Sequence, residues 1–173
     1  MPWARDEPGE PDALVQRLRR FRDEFDLGVD LLYAIFDREE REVLGGTGLH
    51  ARAGEGAGEI GYWIHAAHVR QGYATEAAAA LTRVAFQIVG VERVEIRCDP
   101  KNVASAGVPR KLGFTLEAVL DADTVDVDGR PRDTMVWSLL RDAYPTSPAC
   151  AVKIEAFDAL GRRLLPRTSG HDE

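Results

Sequence analysis

Apolar residues recur with helical spacing in two long segments of the chain. Around residues 11–26 the apolar side chains of Leu14, Leu18, Phe21 and Phe25 fall on one side, which predicts a helix with one buried stripe. A second predicted helix begins near Ala74, and its apolar side is formed by Ala74, Ala77, Ala78, Leu81, Ala85 and Ile88. Both segments therefore carry an amphipathic pattern.

A third, shorter helix is predicted from "NVASAGVPRKLG", where Asn102 provides the cap and Gly113 the stop. Pro109 lies inside this segment and has no backbone N–H to donate. It should therefore leave the carbonyl of Ser105 without its helical partner and bend the helix.

Extended segments lie between these helices. In "EIGYWIH" the side chains of Glu59, Gly61 and Trp63 share one face, and those of Ile60, Tyr62 and Ile64 share the other. The other predicted strands are "DLLYAIFD" and "EVLGGTGLHAR", which form a hairpin, "RVEIRCD", and a final antiparallel pair, "FTLEAVLDA" with "TMVWSLLRDAY". This order of elements predicts a mixed α/β layer architecture.

The last part of the chain reads as an extension of the main domain. We assign residues 1–145 to the domain and 146–173 to the extension, with "PTSPA" at the junction. Val152, Ile154 and Ala156 alternate with charged residues, which predicts one more strand. The final "SGHDE" is predicted to be disordered.

Charge and composition narrow the possible partners. The formal net charge is −7, which opposes binding to nucleic acid and to anionic membranes and favours an amine-bearing partner. No apolar run approaches the roughly 20 residues that span a bilayer, and the first residues lack the order of a signal peptide. Cys98 and Cys150 are too few for a disulfide framework or a thiolate metal site. We therefore expect a cytoplasmic protein.

No metal site is predicted. His65 and His68 have a metal-like spacing but no further ligands nearby, and local polar contacts explain them better. "DADTVDVDG" has Val125 at a ligand position of a calcium loop and no terminal Glu, so it is predicted to be a hairpin turn at Asp128-Gly129.

The segment "HVRQGYATEAAAALTRVAF" joins a turn at Gly72 to the start of the second helix. The first N–H groups of a helix have no internal partners, and the helix dipole adds partial positive charge there. Gly72 would allow an anion such as a phosphate to approach the backbone. Taken alone, an ordinary strand-to-helix turn explains the same pattern.

Two longer motifs resemble the GNAT N-acetyltransferases, in particular the RimJ/RimL-type branch. "GEIGYWIHAAHVRQGYATEA" is similar to that branch's fourth strand and pyrophosphate loop, and "DPKNVASAGVPRKLGF" is similar to its Asn-x-x-Ser helix. The resemblance covers roughly residues 30–145. It implies the GNAT fold, a mostly antiparallel mixed sheet flanked by helices, with acetyl-CoA as co-substrate.

The resemblance also implies the site that would hold acetyl-CoA. The amides of residues 70–75 would bind the pyrophosphate, and the backbone near Trp63 and Ile64 would pair with the pantetheine arm. Val69 departs from the Gln or Arg that usually leads the loop motif. The cofactor-binding residues that we predict in this way are Trp63, Ile64, Val69, Arg70, Gln71, Gly72, Tyr73, Ala74, Thr75, Asn102 and Lys111.

Two residues are candidates for the chemistry. The resemblance implies that Ser105, one helical turn after Asn102, assists the departing thiolate; alternatively its hydroxyl bonds to its own helix. Asn102 is then a ligand contact, a plain cap, or both. Glu59 is the predicted base, and a surface carboxylate is the competing interpretation. Direct transfer needs no acyl-cysteine, so Cys98 is not predicted to be a nucleophile.

The sequence departs from the family at its beginning. Met1 falls where the first helix approaches, so the family's first strand is absent from the sequence. We expect the exposed edge to be covered by the extension or by a second copy in a homodimer, unless the true start lies upstream. Two functions follow: an N-acetyltransferase for a protein N-terminal amine or a small amine, or a non-catalytic acetyl-CoA-binding module.

Overall fold

The computed structural model describes residues 10–126 and 128–165. Within them the helices are α1 (Pro11–Asp26), α2 (Tyr73–Val84) and α3 (Val103–Lys111). The strands are β1 (Asp30–Phe36), β2 (Val43–His50), β3 (Ala57–Ile64), β4 (Arg93–Cys98), β5 (Thr115–Val125) and β6 (Pro131–Leu140). The predicted order of elements and the mixed α/β architecture are therefore confirmed. None of the described helices is both long and apolar enough to span a membrane.

The strands form one sheet in the order β1-β2-β3-β4-β6-β5. Neighbouring strands are antiparallel except β3 and β4, which run parallel. These two pair only through Ala57–Glu59 and Arg93–Glu95, at the beginning of both strands. The later parts of β3 and β4 therefore separate, and a gap opens in the middle of the sheet.

The two faces of the sheet differ in character. Ile60, Val94 and Ile96 point to one face and are almost fully buried beneath α2 and α3, and we call this the helix side. Because strand side chains alternate, Glu59 and Glu95 point to the opposite face. We call that face the polar side, and there both carboxylates accept bonds from arginine side chains.

Helix α1 forms where the sequence predicts, with Pro11 in its first turn, but the predicted burial of its stripe is wrong. It has no buried residue, and Leu14 and Leu18 keep 45% and 57% of their surface exposed. The helix lies beside the edge strand β1, where the ring of Phe25 meets that of Tyr33 at 5.3 Å. An edge strand offers too little surface to cover a whole helical stripe.

The predicted extra strand after residue 150 does not form. Within the described residues, 152–156 join no strand, and an isolated bridge links Phe157 with Arg163. The predicted alternation of buried and exposed side chains is confirmed, since Val152 and Ile154 are half-buried and Lys153 between them is exposed. The partner is a helix instead of a strand, because Arg83 of α2 donates to the carbonyl of Val152 at 2.8 Å.

The extension docks on the domain through α2, so its predicted place at the sheet edge is wrong. Ala149 and Leu165 are buried, and Val152 packs against the core. The described sheet therefore ends at β1, which has no neighbour on its outer side. The predicted disordered end, 169–173, lies outside the described residues.

Replacing Leu165 by alanine should destabilise the protein, because its side chain is 3% exposed. Buried leucine-to-alanine changes cost about 2–5 kcal/mol in the free energy of unfolding. Leu164→Ala is the matched control, since the neighbouring leucine is 47% exposed. Urea unfolding of both variants checks this, and equal midpoints would show that the extension contributes little to stability.

Candidate active site

The loop before α2 has an unusual backbone. Gly72 caps the helix at φ 98°, and Arg70 also has a positive φ of 64°. The amides of Thr75 and Glu76 both donate to the carbonyl of Gly72, at 2.9 and 3.0 Å. In the described part of the chain, the amides of residues 70–74 have no such acceptor. They are available to an anion at the helix N-terminus.

Space at Gly72 is open. A Cβ built there would meet nothing within 4 Å, so the glycine is required by its left-handed φ and not by crowding within the protein. Val69, where the sequence departs from the family motif, is 50% exposed and packs into no core. The open side of the loop therefore leaves room for a phosphate group against the free amides.

The Gly72 loop follows β3 in the chain, and β3 forms one side of the gap between β3 and β4. On one side, Trp63 pairs with Gly46 of β2, and the amide of His65 donates to the carbonyl of Leu44 at 2.8 Å. On the other side, the pairing of β3 with β4 stops after Glu59. Backbone groups of a strand point alternately to its two sides. Part of the backbone around Trp63 and Ile64 therefore faces the gap.

Helix α3 begins on the far side of the gap. The side-chain oxygen of Asn102 accepts from the amide of Ser105 at 3.0 Å, as the predicted cap requires. Because this bond uses the oxygen, the amide NH₂ of Asn102 stays available as a donor. A cap and a ligand contact are therefore compatible at this residue.

The hydroxyl of Tyr62 joins β3 to α3. It donates to the carbonyl of Ser105 at 3.0 Å, and the Ser105 hydroxyl lies 3.3 Å from it as a donor. Ser105 is the residue whose carbonyl Pro109 deprives of a helical donor. The freed carbonyl that the sequence predicts therefore exists, and a residue 43 positions away satisfies it.

Burial sets the protonation of the groups around Ser105. It raises the pKa of Tyr62 to about 12, mainly by desolvating the phenolate, while the bond with Ser105 lowers it and the nearby Cys98 adds a smaller rise. Burial also raises the pKa of the Cys98 thiol. At neutral pH both groups are protonated, so Tyr62 is a hydrogen-bond donor and Cys98 is not a ready nucleophile.

Comparison with known proteins decides the family. Residues 1–115 match the family model described as an acetyltransferase (GNAT) domain. The chain belongs to the GNAT acetyltransferase family. The predicted membership and fold are thereby confirmed, and the Gly72 loop, the gap and the start of α3 can be compared with the GNAT site.

Curated relatives are GNAT-type proteins of bacilli. The chain is 33% identical over 110 residues to the uncharacterized N-acetyltransferase YoaA of Bacillus subtilis (strain 168), which covers 63% of this chain and 62% of YoaA. It is 32% identical over 113 residues to the uncharacterized N-acetyltransferase p20 of Bacillus licheniformis, covering 65% of this chain and 63% of p20. The match thus spans slightly less than two thirds of each relative's length.

A solved GNAT structure supports the fold. The ribosomal-protein-S5-alanine acetyltransferase of Vibrio fischeri superposes with a TM-score of 0.70 and 21% identity, over 78% of this chain and 74% of that chain. At this level of identity the likeness shows the fold alone. It agrees with the six-stranded sheet and the separated β3 and β4.

Glu59, the predicted base, does not lie with the other predicted site residues. Its carboxylate accepts two bonds from Arg52, at 2.6 and 3.0 Å, and Arg97 lies 3.9 Å away. Glu59 is also four residues before Trp63, about 13 Å along the strand at 3.3 Å per residue. This geometry favours a structural ion pair over the predicted base.

Other predicted residues lie at the edge of the GNAT site or outside it. Lys111 ends α3 and is exposed, six residues beyond Ser105.

The two histidines make polar contacts, as predicted. His68 bonds to Glu42 at 3.0 Å, and the ring of His65 accepts from the amide of Ala67. The predicted turn at Asp128-Gly129 also forms, because the side chain of Asp126 accepts from the amides of Asp128 and Arg130.

Tyr62 is the residue that sequence reasoning missed. It was assigned to a strand face together with two isoleucines, and nothing local distinguishes its hydroxyl from that of any half-buried tyrosine. The one signal in the sequence was Pro109, which predicts a carbonyl in need of a donor but does not say where the donor lies.

Replacing Tyr62 by phenylalanine should destabilise the protein by about 1–3 kcal/mol, because the Ser105 carbonyl then has no donor. In a Pro109→Ala background the helix supplies its own N–H to that carbonyl, and the same change should cost less. A double-mutant cycle by denaturant unfolding measures this coupling. Additive effects of the two substitutions would contradict the pairing.

Proposed function

We propose that the protein is an N-acetyltransferase that moves the acetyl group of acetyl-CoA directly to a primary amine. The observation that carries the proposal is the arrangement of two features on either side of one gap in the sheet. Free amides and open space lie at the Gly72 loop. The hydroxyl of Ser105 is fixed by Tyr62 at the start of α3.

In this proposal the loop binds the pyrophosphate. Residues 70–74 offer free backbone amides, whereas the amide of Thr75, also predicted to bind, already donates to Gly72; the exposed Arg70 adds a charge contact. The arm then enters the gap, where the backbone of Trp63 and Ile64 and the amide NH₂ of Asn102 offer hydrogen bonds. These donors fit a chain of amides and a thioester, and they need no metal.

Ser105 assists the leaving group. When an amine displaces the thioester sulfur, negative charge collects on that sulfur, and a hydroxyl donor nearby stabilises it. The Ser105 hydroxyl can turn from Tyr62 to the sulfur, because its bond to Tyr62 is long at 3.3 Å. Tyr62 would keep the backbone of Ser105 in place during this exchange.

The acceptor is an amine of a protein N-terminus or of a small molecule. The net charge of −7 favours cationic acceptors. The resemblance to the RimJ/RimL-type branch supports a protein N-terminus. Two cysteines with free thiols fit a reducing cytoplasm.

The experiment that tests this function measures thiol release from acetyl-CoA with a panel of amines. The panel holds alanine- and serine-initiated peptides, a polyamine and an aminoglycoside, and calorimetry measures acetyl-CoA binding separately. Binding together with amine-dependent thiol release supports the enzyme. Binding without release from any amine would favour the non-catalytic module instead.

Self-association is a further part of the proposal. The outer side of β1 is an unpaired sheet edge in the described chain, and Tyr33 and Phe36 keep 39% and 49% of their surface exposed. Such an edge can pair with a second copy. Sedimentation of the full chain checks for the homodimer.

A further inference from the structure

An Asp–His pair lies on the polar side of the sheet. Asp30 begins β1 and faces His50, the last residue of β2. Nδ1 of His50 is 2.5 Å from Oδ1 of Asp30, and only 13% of the histidine side chain is exposed. A carboxylate on Nδ1 fixes the proton there, which leaves Nε2 as the acceptor nitrogen of the neutral ring.

Two facing glycines make room for this imidazole. Gly48 of β2 pairs with Gly61 of β3. A Cβ on Gly48 would lie 3.0 Å from Nε2 of His50, and a Cβ on Gly61 would lie 3.2 Å from it. The imidazole ring therefore points from the end of β2 toward its middle and covers the Gly48–Gly61 pair, so that Nε2 lies over the sheet between β2 and β3.

In the next cross-strand pair toward the gap, an indole lies over a glycine in the same arrangement. Gly46 faces Trp63, and a Cβ on Gly46 would lie 2.5 Å from Nε1 of the indole. Gly46, Gly48 and Gly61 therefore form the floor of a strip on the polar side, which we call the trough, and the side chains of Leu32, His50 and Trp63 lie over it. The imidazole of His50 and the indole of Trp63 lie in it one after the other.

The trough is on the side from which an amine can approach. Tyr62 and Ser105 lie on the helix side, where α2 and α3 cover the sheet. Acetyl-CoA bound along the Gly72 loop and α3 enters from that side. The thioester carbonyl in the gap is then open to attack only from the polar side, where the trough leads to Trp63.

We propose that His50, held by Asp30, removes the proton from the acceptor amine. This proposal rests on the acetyltransferase function proposed above. Nε2 lies above the Gly48–Gly61 pair, two residues from Trp63, which is about 7 Å along a strand. A relay of about two bridging waters spans that distance.

The step balances as follows. Nε2 takes one proton from the ammonium form of the acceptor, and the neutral nitrogen attacks the carbonyl carbon of the thioester. A C–N bond forms, the C–S bond breaks, and the electron pair leaves on sulfur. The nitrogen loses a second proton as the amide forms, one of the two protons reaches the thiolate, and the other goes to water.

Other charged groups around His50 are already engaged. Glu59 is its cross-strand neighbour on β3 but is bound to Arg52, and Arg97 of β4 approaches the same carboxylate. The pKa of the Arg52 guanidinium is raised mainly by its bond with Glu59, and the charge of Asp30 adds a smaller rise. Asp30 is therefore the carboxylate that orients the imidazole, and Nε2 faces the trough.

The test compares His50→Gln and Asp30→Asn with wild type, using acetyl-CoA and the panel amine that wild type acetylates fastest. Loss of a general base costs about 10²-fold or more in rate. We expect that loss in kcat/KM at pH 7 for His50→Gln and a smaller loss for Asp30→Asn. The acetyl-CoA affinity should be unchanged, and the rates are compared well below the melting temperature of each variant, because both substitutions remove one partner of a largely buried hydrogen bond.

The pH profile separates catalysis from a structural role. The deficit of His50→Gln in kcat/KM should be largest where the acceptor amine is protonated, because the base is needed to remove that proton. The deficit of the variant should also narrow at high pH, where more acceptor amine is already neutral. A merely structural pair would give the same deficit at every pH.

Three outcomes would overturn the proposal. The first is a His50→Gln variant with wild-type turnover, and the second is a deficit of His50→Gln that stays the same at every pH while that of Glu59→Gln narrows as the pH rises. The third is a wild type that binds acetyl-CoA but acetylates no amine of the panel, which removes the proposed function as well. The first two leave that function intact.

Discussion

Ser105→Ala should acetylate amines on the order of 10²-fold more slowly than wild type, while binding acetyl-CoA with nearly unchanged affinity. The reason is that the Ser105 hydroxyl interacts with the sulfur only as charge develops on it. In the ground state the same hydroxyl bonds to Tyr62 at 3.3 Å, so its loss hardly changes the bound complex. Steady-state kinetics and calorimetry give the two quantities.

Ser105→Thr is the matched control, because it keeps a hydroxyl on the same helical turn and should retain most of the activity. A Ser105→Ala variant that turns over as fast as wild type on a good acceptor removes Ser105 from the mechanism. If instead turnover and affinity fall together, the residue serves binding and not the departure of the thiolate.

Gly72→Asp should weaken acetyl-CoA binding by about 10²-fold or more, which corresponds to about 2.7 kcal/mol or more. A carboxylate there would occupy the open side of the loop and repel the pyrophosphate at short range. Any side chain at φ 98° also strains the backbone. Calorimetry with acetyl-CoA measures the combined loss.

Gly54→Asp separates the two causes. Gly54 has φ 104° and, like Gly72, nothing within 4 Å of a built Cβ, but it lies in the turn before β3. Because Gly54 combines its positive φ with ψ 177°, a conformation essentially reserved for glycine, Gly54→Asp should lose at least as much stability as Gly72→Asp, with normal acetyl-CoA affinity. Unchanged affinity in Gly72→Asp would refute the loop as the pyrophosphate site.

Much of the fold was predictable because local patterns and the fold agree. The alternation in "EIGYWIH" predicted Ile60 and Glu59 on opposite faces, and this holds in the structure, where Ile60 lies in the core. The Asn102 cap and the turn at Gly72 were also predictable, since each depends on residues three or four positions apart. The family and its two motifs could be recognised from the same short segments.

The contacts that tertiary structure decided join residues far apart in sequence. Pro109 predicted that the carbonyl of Ser105 would lack its helical donor, but only the fold brings the Tyr62 hydroxyl to that carbonyl. Glu59 was a reasonable base until the structure placed Arg52 against it, and the extension alternates like a strand yet packs on α2. His50 and Asp30 meet because the β1–β2 register sets them opposite each other. Local sequence sets the direction of each side chain along its own element, whereas strand register and helix docking decide which distant group it meets.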